Sequence, residues 1–305
     1  MKPMTLDVDG PINVADFGGA GEVLLLVHGL GGSHLNWMAV APRLAEHHRV
    51  YALDLPGFGR SPLAGRRSTI AANIDLLPRV MTRFSDGPIS LMGNSMGGLL
   101  SLGVAAIHPN LVRNLVLVDP AVPTRGTAVR PRLDRVSRTF LAAAFMPQWG
   151  VRRLSRAVAA LGPESLVYET LRLCSADPSR IEQAVVDAHI ALEAERLAQP
   201  GWQKSFYAAT RSLVRVLALK RQVVRWVQGV VAPTLLLQGD RDRLVNVDSA
   251  RWVASLRPDW EYQEFAGVGH IPMLEVPAEF LEVSLDWLGR HQTAVVQAQP
   301  VAVAG

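Results

Sequence analysis

Residues 91–98 read LMGNSMGG; they begin at the last residue of the apolar run PISL (88–91) and precede the apolar stretch LLSLGVAAI. Ser95 is flanked by Gly93 two residues before it and Gly97 two residues after it. The short run before it is typical of a buried strand, and the longer stretch after it is typical of a helix. A Gly-x-Ser-x-Gly pattern between a strand and a helix predicts a sharp turn that exposes the serine hydroxyl as a nucleophile.

The composition is that of an ordinary globular protein. The 305 residues are 49% hydrophobic and 19% charged, which suits one large α/β domain or a domain with an insertion. The sequence contains no run of 18 apolar residues, and its first residues lack an apolar signal core. Cys174 is the single cysteine, which excludes an intramolecular disulfide. These features predict a cytoplasmic protein.

Strand-like and helix-like segments alternate from residue 5 to about residue 120 and again after Pro233. Short apolar runs at 23–29, 49–55, 89–93 and 112–119 predict strands, and the stretches between them are helix-compatible. This rhythm predicts a mainly parallel sheet with helices on both faces, and the Asp-Gly pair near residue 10 predicts an antiparallel hairpin at its edge. Ligands bind such sheets at the carboxyl ends of the strands.

The alternation stops between the two parts, where apolar residues recur three or four apart in a helical pattern. We therefore expect a sheet domain formed by residues 1–120 and 231–292, a helical cap at 121–230, and a disordered tail at 293–305. The cap region carries 17 Lys and Arg against 8 Asp and Glu. This basic character would permit contact with an anionic membrane surface, but a solvated arginine face is the favoured interpretation. Without an aromatic-interleaved basic motif or zinc finger, no nucleic-acid partner is expected.

A nucleophilic serine needs a base, an orienting acid and an oxyanion hole. His270 lies on a glycine-flanked loop after a predicted strand, and Asp240 and Asp242 both follow another strand, so either aspartate is a candidate acid. Glycines at 29, 31 and 32 allow the backbone to approach a ligand closely. The backbone N–H groups of Leu30 and Met96 are the predicted oxyanion donors.

The motifs HGLGGS, DLPGFGRS, GNSMGG, GDRDRLV and GHIPMLEVP occur in the order and spacing of the α/β-hydrolase superfamily, which residues 5–292 resemble. The resemblance implies an eight-stranded, mainly parallel sheet with an all-helical cap. It also implies that Ser95 is the nucleophile, Asp242 the acid and His270 the base. Asp119, at the end of the sixth strand, is the alternative acid because some members place the acid there. Metals and organic cofactors are not expected.

A serine at this position favours acyl transfer, and hydrolysis of a small-molecule carboxylic ester with an apolar acyl group is the leading hypothesis. The predicted substrate pocket is formed by Gly29, Phe140, Phe145, Met146 and Trp149. Alternatives are a carbon–carbon bond hydrolase acting on a ring-cleavage diketone, an acyltransferase or perhydrolase, and a slowly hydrolysing ligand receptor. The first is disfavoured because the tryptophan usual after the histidine of such enzymes, and the proline of their oxyanion loop, are missing here.

Overall fold

The computed structural model of the protein describes residues 1–124, 160–199 and 202–292. Residues 125–159 and 200–201 of the predicted cap, and the predicted tail at 293–305, lie outside the described residues. Within the described residues, no helix combines the length and the apolar character that crossing a bilayer requires.

The core of the protein is one eight-stranded sheet. Its strands are β1 (Lys2–Asp7), β2 (Pro11–Gly18), β3 (Val23–Val27), β4 (Arg49–Leu53), β5 (Ile89–Asn94), β6 (Val112–Val118), β7 (Thr234–Gly239) and β8 (Glu261–Phe265). They lie in the order β1-β2-β4-β3-β5-β6-β7-β8. The β1–β2 hairpin and the β2–β4 pair are antiparallel, whereas β4, β3 and β5–β8 run parallel. The expected mainly parallel sheet and its edge hairpin are confirmed.

Ten α-helices are described. They are α1 (Ala41–Leu44), α2 (Ile70–Met81), α3 (Met96–Ile107), α4 (Gly162–Cys174), α5 (Gln183–Leu197), α6 (Trp202–Ala218), α7 (Lys220–Gly229), α8 (Val247–Leu256), α9 (Pro272–Glu275) and α10 (Pro277–Arg290). Short 3-10 helices cover His34–Trp37, Pro109–Leu111 and Pro178–Arg180.

The sheet separates two apolar cores. One face packs against α2, α3, α7 and α8, where Leu77, Leu99 and Trp226 are buried. The other face packs against α1 and α10, where Leu44 and Trp287 are buried. Every residue of β5 and β7 is buried, because both strands are covered by helices on the two sides. The expectation of helices on both faces is confirmed.

Two segments differ from the sequence-based expectation. The helix-compatible stretch LNWMAVAPRLAEHH at 35–48, which follows the predicted strand at 23–29, is not one continuous helix but contains the end of the 3-10 helix His34–Trp37 and then α1. Pro42 lies in the first turn of α1, the position in a helix that proline prefers, so the α-helix begins there. Helix α7, in the region expected to be the cap, packs against α3 of the sheet domain. The division of the chain at residues 120 and 230 stays a prediction.

The positions after β3, β5, β6, β7 and β8 carry the candidate functional residues. These five strands are parallel neighbours in the sheet, and all of their carboxyl ends therefore open on the same edge. The topology thus brings residues near 30, 95, 119, 242 and 270 to one place.

Gly97→Ala tests how closely β3 and α3 approach. A Cβ atom at Gly97 would lie 2.2 Å from the Val27 carbonyl oxygen and 2.5 Å from that of His28, and both are backbone atoms that cannot rotate away. We expect the substitution to lower the free energy of unfolding by about 2 kcal/mol or more in chemical denaturation.

Gly289→Ala is the matched control. Gly289 lies in α10, is exposed, and a Cβ there would meet no atom within 4 Å. Because alanine restricts the unfolded chain and favours a helix, this change should raise the free energy of unfolding by about 0.5–1 kcal/mol. Equal effects at the two positions would contradict the close approach.

Candidate active site

Ser95 lies in a strained turn between β5 and α3. Its backbone has φ 54° and ψ −117°, in the left-handed region that side chains other than glycine rarely adopt. The Ser95 N–H donates to the Val118 carbonyl at 3.0 Å, and its carbonyl accepts from the Leu99 and Ala121 N–H groups at 3.0 and 2.9 Å. The turn is therefore fixed on both sides by β6 and α3. The Ser95 side chain stays partly exposed, whereas its neighbours are buried.

The loop after β3 lies directly against this turn. A Cβ at Gly29 would be 3.1 Å from the Ser95 Cβ and 3.2 Å from Asn94 Oδ1, so a side chain here would push the loop and the turn apart by a few tenths of an ångström. The Gly29 carbonyl is held by His28 Nδ1 at 2.7 Å and by the Gly32 N–H at 3.2 Å. Because a trans peptide directs its C=O and N–H to opposite sides, this arrangement aims the Leu30 N–H away from His28.

Met96 is the first residue of α3, so its N–H has no acceptor within the helix. It also sits at the positive end of the helix dipole, where a negative charge is stabilised. Both predicted oxyanion donors are therefore near Ser95. Met96 follows it in the chain, and Leu30 belongs to the loop that packs on the serine turn.

The histidine and one aspartate form a buried pair. His270 Nδ1 lies 2.6 Å from Asp242 Oδ2, and the two side chains are 4% and 0% exposed. The Asp242 Oδ1 atom accepts the Leu244 and Val245 N–H groups at 2.7 and 3.0 Å. With a proton on Nδ1 directed at Asp242, the Nε2 lone pair of His270 is free to accept a proton.

The other candidate acids lie in different positions. Asp240 Oδ1 accepts the Gly267 N–H at 2.7 Å and so closes the turn after β8. Asp119 is fully buried and follows β6, and one of its oxygens lies within 4.8 Å of a ligand atom of both Asp242 and His270. The structure thus joins Asp242 directly to His270 and places Asp119 beside the pair.

Three side chains hold the His270 loop and its partner Asp242 in place. Asn94 Nδ2 donates to the His270 carbonyl at 3.0 Å and to the Val118 carbonyl at 3.2 Å, which ties the loop to the serine turn. Glu275 is buried and accepts the N–H groups of Gly269, Ala176 and Asp177 at 2.8–3.1 Å. The third is Gln238, whose Nε2 lies 3.1 Å from Asp242 Oδ2 and 2.9 Å from Asp119 Oδ1.

The cap region reaches the same loop. The His270 N–H donates to the Cys174 carbonyl at 2.6 Å, at the end of α4. A Cβ at Gly269 would lie 2.5 Å from that carbonyl oxygen. A Cβ at Gly31 would lie 3.1 Å from the Phe206 ring of α6. Helices α4 and α6 thus contact the loops that carry His270 and Leu30.

Comparison with known proteins agrees with this arrangement. The family model described as alpha/beta hydrolase fold matches residues 22–277. The chain belongs to the alpha/beta hydrolase fold family.

Relatives in this family include enzymes of two types. The chain is 29% identical over 278 residues to 2-hydroxy-6-oxo-6-(2'-aminophenyl)hexa-2,4-dienoic acid hydrolase of Metapseudomonas resinovorans, covering 90% of this chain and 86% of the relative. It is 26% identical over 288 residues to Lipase 1 of Psychrobacter immobilis, covering 90% and 80%. The crystal structure of a thermophilic esterase from Thermogutta terrifontis has a TM-score of 0.71 at 24% identity, covering 96% and 100%, which shows the shared fold. Family and relatives together support hydrolase activity.

Some site residues of this alpha/beta hydrolase were not anticipated. Asn94, Gln238 and Glu275 had no role assigned, although Asn94 and Glu275 lie inside the motifs GNSMGG and GHIPMLEVP and Gln238 lies immediately before GDRDRLV. The predicted pocket residue Gly29 lies against Ser95. Four further predicted pocket residues lie outside the described residues: Phe140, Phe145, Met146 and Trp149.

A buried Asp54–His34 pair supports the loop after β3. Asp54 accepts the His34 N–H at 2.7 Å, His34 Nδ1 at 3.0 Å, Asn13 Nδ2 at 2.8 Å and the Arg60 N–H at 2.8 Å. Burial raises the pKa of Asp54, but the hydrogen bonds and charge of His34 outweigh it, so this pKa lies below its usual value. His28 accepts the Leu55 N–H at Nε2, and burial lowers its pKa, which makes it a neutral support.

Asp54→Asn should therefore destabilise the fold in a pH-dependent way. We expect a loss of about 3 kcal/mol in the free energy of unfolding at pH 7, because the substitution breaks a buried pair. The lowered folded pKa contributes stability above the unfolded pKa of about 4, and this contribution is lost as pH falls through the folded pKa. The gap between wild type and variant should thus narrow below about pH 4, as measured by urea unfolding.

Asp9→Asn is the control for that experiment, since Asp9 is exposed and pairs with Arg79 at the surface. Its unfolding curve should match that of the wild type at pH 7. A gap between wild type and Asp54→Asn that is constant from pH 7 to pH 3 would contradict an ionised, hydrogen-bonded Asp54.

Proposed function

We propose that this hydrolase cleaves carboxylic esters of small molecules through an acyl-enzyme, with Ser95 as nucleophile, His270 as base and Asp242 as the orienting acid. The observation that carries the proposal is the buried 2.6 Å bond between His270 Nδ1 and Asp242 Oδ2. This pair is held next to a strained serine turn by Asn94. Such a pair activates a serine hydroxyl that is otherwise a weak nucleophile.

In the proposed first step, His270 Nε2 takes the Ser95 proton while Ser95 Oγ attacks the ester carbonyl carbon. The Leu30 and Met96 N–H groups stabilise the oxyanion, and Asp242 stabilises the imidazolium. His270 then protonates the leaving alcohol, which leaves the acyl group on Ser95. Water, deprotonated by His270, attacks this acyl group and regenerates the free serine.

The surroundings favour an apolar acyl group. Leu30 and Phe206 pack against the apolar core near the serine turn, and Phe206 lies over Gly31. We propose that residues 121–230 form a cap that covers the acyl chain. Further candidate pocket residues in this cap are Phe140, Phe145, Met146 and Trp149. Pockets lined by apolar side chains with few polar groups are typical of such sites.

A second candidate function is carbon–carbon bond hydrolysis. It is favoured by the 29% identical relative named for a hexadienoic acid derivative, which covers nearly the same length. In this chain, however, His270 is followed by Ile271 and not by the tryptophan that is usual in such enzymes. Ester hydrolysis is therefore placed first.

The test is a series of p-nitrophenyl esters from acetate to palmitate. We expect kcat/KM to peak at one chain length and to fall by at least about 10⁴-fold in Ser95→Ala, because the nucleophile is removed. Asp242→Asn should lower kcat by about 10³–10⁴-fold through loss of the correct histidine tautomer.

Ser101→Ala serves as the matched control. Ser101 is a buried serine in α3, the helix that follows Ser95, and its Oγ bonds to no described group. Removing this hydroxyl should therefore leave kcat/KM within about twofold of wild type. Serine-independent ester turnover would overturn the proposal. Turnover of 2-hydroxy-6-oxo-6-(2'-aminophenyl)hexa-2,4-dienoic acid at a far higher kcat/KM than any ester would replace it with the second candidate.

A further inference from the structure

Asp119 is a buried carboxyl group that the proposed reaction does not use. It follows β6, its backbone has φ 45°, and its N–H donates to the Leu237 carbonyl at 2.8 Å. Its Oδ1 accepts the Gly239 N–H at 2.8 Å and Gln238 Nε2 at 2.9 Å. No donor in the described part of the chain reaches its buried Oδ2. A buried carboxylate oxygen without a donor is energetically costly.

Asp242 is better provided with donors. Its two oxygens accept from the Leu244 N–H, the Val245 N–H, Gln238 Nε2 and His270 Nδ1. Two carboxyl groups this close cannot both be ionised in a buried site, so the negative charge belongs on the group with more donors. That group is Asp242, and the proton belongs on Asp119.

The other charged groups near Asp119 agree with this distribution. Asp242 lies on the loop after β7, His270 on the loop after β8, and Glu275 on α9. Burial first, and the negative charges of Asp242 and Glu275 next, raise the pKa of Asp119 well above its usual value. Gln238, which bridges the two carboxyl groups, is neutral.

We propose that Asp119 is a neutral positioning acid, whose carboxyl proton is donated to the Asp242 carboxylate and holds it against His270. The role rests on the proposed function, in which Asp242 orients His270. Asp119 touches neither substrate nor Ser95 in this role, and it acts through Asp242. It also explains why the chain carries an acid at the end of both β6 and β7.

The charge state of Asp119 has a measurable consequence. An ionised Asp119 would attract the imidazolium of His270, and replacing it by a neutral residue would then shift the acidic limb of the pH–rate profile downward. At separations near 5 Å and an effective dielectric constant of about 20, this shift is about two pH units. A neutral Asp119 gives no such shift.

The experiment compares Asp119→Asn, Asp119→Ala and Asp242→Asn. The reporters are kcat/KM for p-nitrophenyl acetate and the rate at which a fluorophosphonate labels Ser95, each measured from pH 4 to pH 9. The asparagine side chain can accept from Gly239 and Gln238 and donate an N–H to Asp242, so it reproduces the bonds of a protonated aspartate. Both rates should stay within about threefold of wild type, with the acidic midpoint moved by less than about 0.3 pH units.

Asp119→Ala removes the donor to Asp242. It should lower kcat by about 10- to 100-fold, with KM unchanged, because the histidine is held less well. Thermal unfolding checks that each variant folds. Since asparagine matches aspartate in shape, Asp119→Asn decides the charge state of Asp119 even if the alanine variant is unstable.

The outcomes separate this inference from the proposed function. A loss of 100-fold or more in Asp119→Asn, or a downward shift of its acidic limb by one unit or more, overturns the neutral acid. Little loss in Asp242→Asn together with a large loss in Asp119→Asn shows that Asp119 is the orienting acid and overturns both assignments. A wild-type protein whose Ser95 reacts neither with the ester nor with the fluorophosphonate overturns the proposed function itself.

Discussion

The strained backbone of Ser95 is the constraint on which the rest of the site depends. A residue with φ 54° between a buried strand and a helix is stable only if its surroundings determine it completely. They do so through hydrogen bonds to Val118 and Ala121, and through glycines that let three backbones approach. Gly97 is the sharpest case, because a Cβ atom there would lie 2.2 Å from the Val27 carbonyl oxygen. The turn leaves the Ser95 side chain partly exposed, and we propose that the Leu30 and Met96 N–H groups bind the oxyanion beside it.

The charges of the histidine and the two aspartates beside the serine turn are controlled by burial. His270, Asp242 and Asp119 are removed from water, so each charge there needs donors that are fixed in advance. Gln238 contacts both aspartates and thereby connects the ends of β6 and β7. Glu275 performs a similar structural task at the edge of the cap region, since its carboxylate accepts N–H groups from both the His270 loop and the residues that follow α4. These bonds tie the residues that follow α4 to the His270 loop.

Much of this arrangement follows from the sequence, because the deciding signals are local. A glycine-flanked serine between two apolar segments specifies the turn, and alternating apolar runs specify the parallel sheet. The choice between Asp240 and Asp242 could not be made from spacing, since both follow β7, and it depends on which carboxylate faces His270. The bonds of Asn94 to the His270 loop join residues 176 positions apart, and no short-range pattern predicts them. Proline geometry could have predicted that a helix begins near Pro42, but the apolar spacing of the surrounding residues indicated one continuous helix.

The remaining question is whether this geometry forms a covalent intermediate. Rapid mixing with p-nitrophenyl butyrate, followed by acid quench and mass analysis, answers it most directly. We predict a burst of one nitrophenolate per chain and one butyryl group on the peptide that contains Ser95. Turnover without an acyl group on Ser95, or with the acyl group on another residue, would contradict the account.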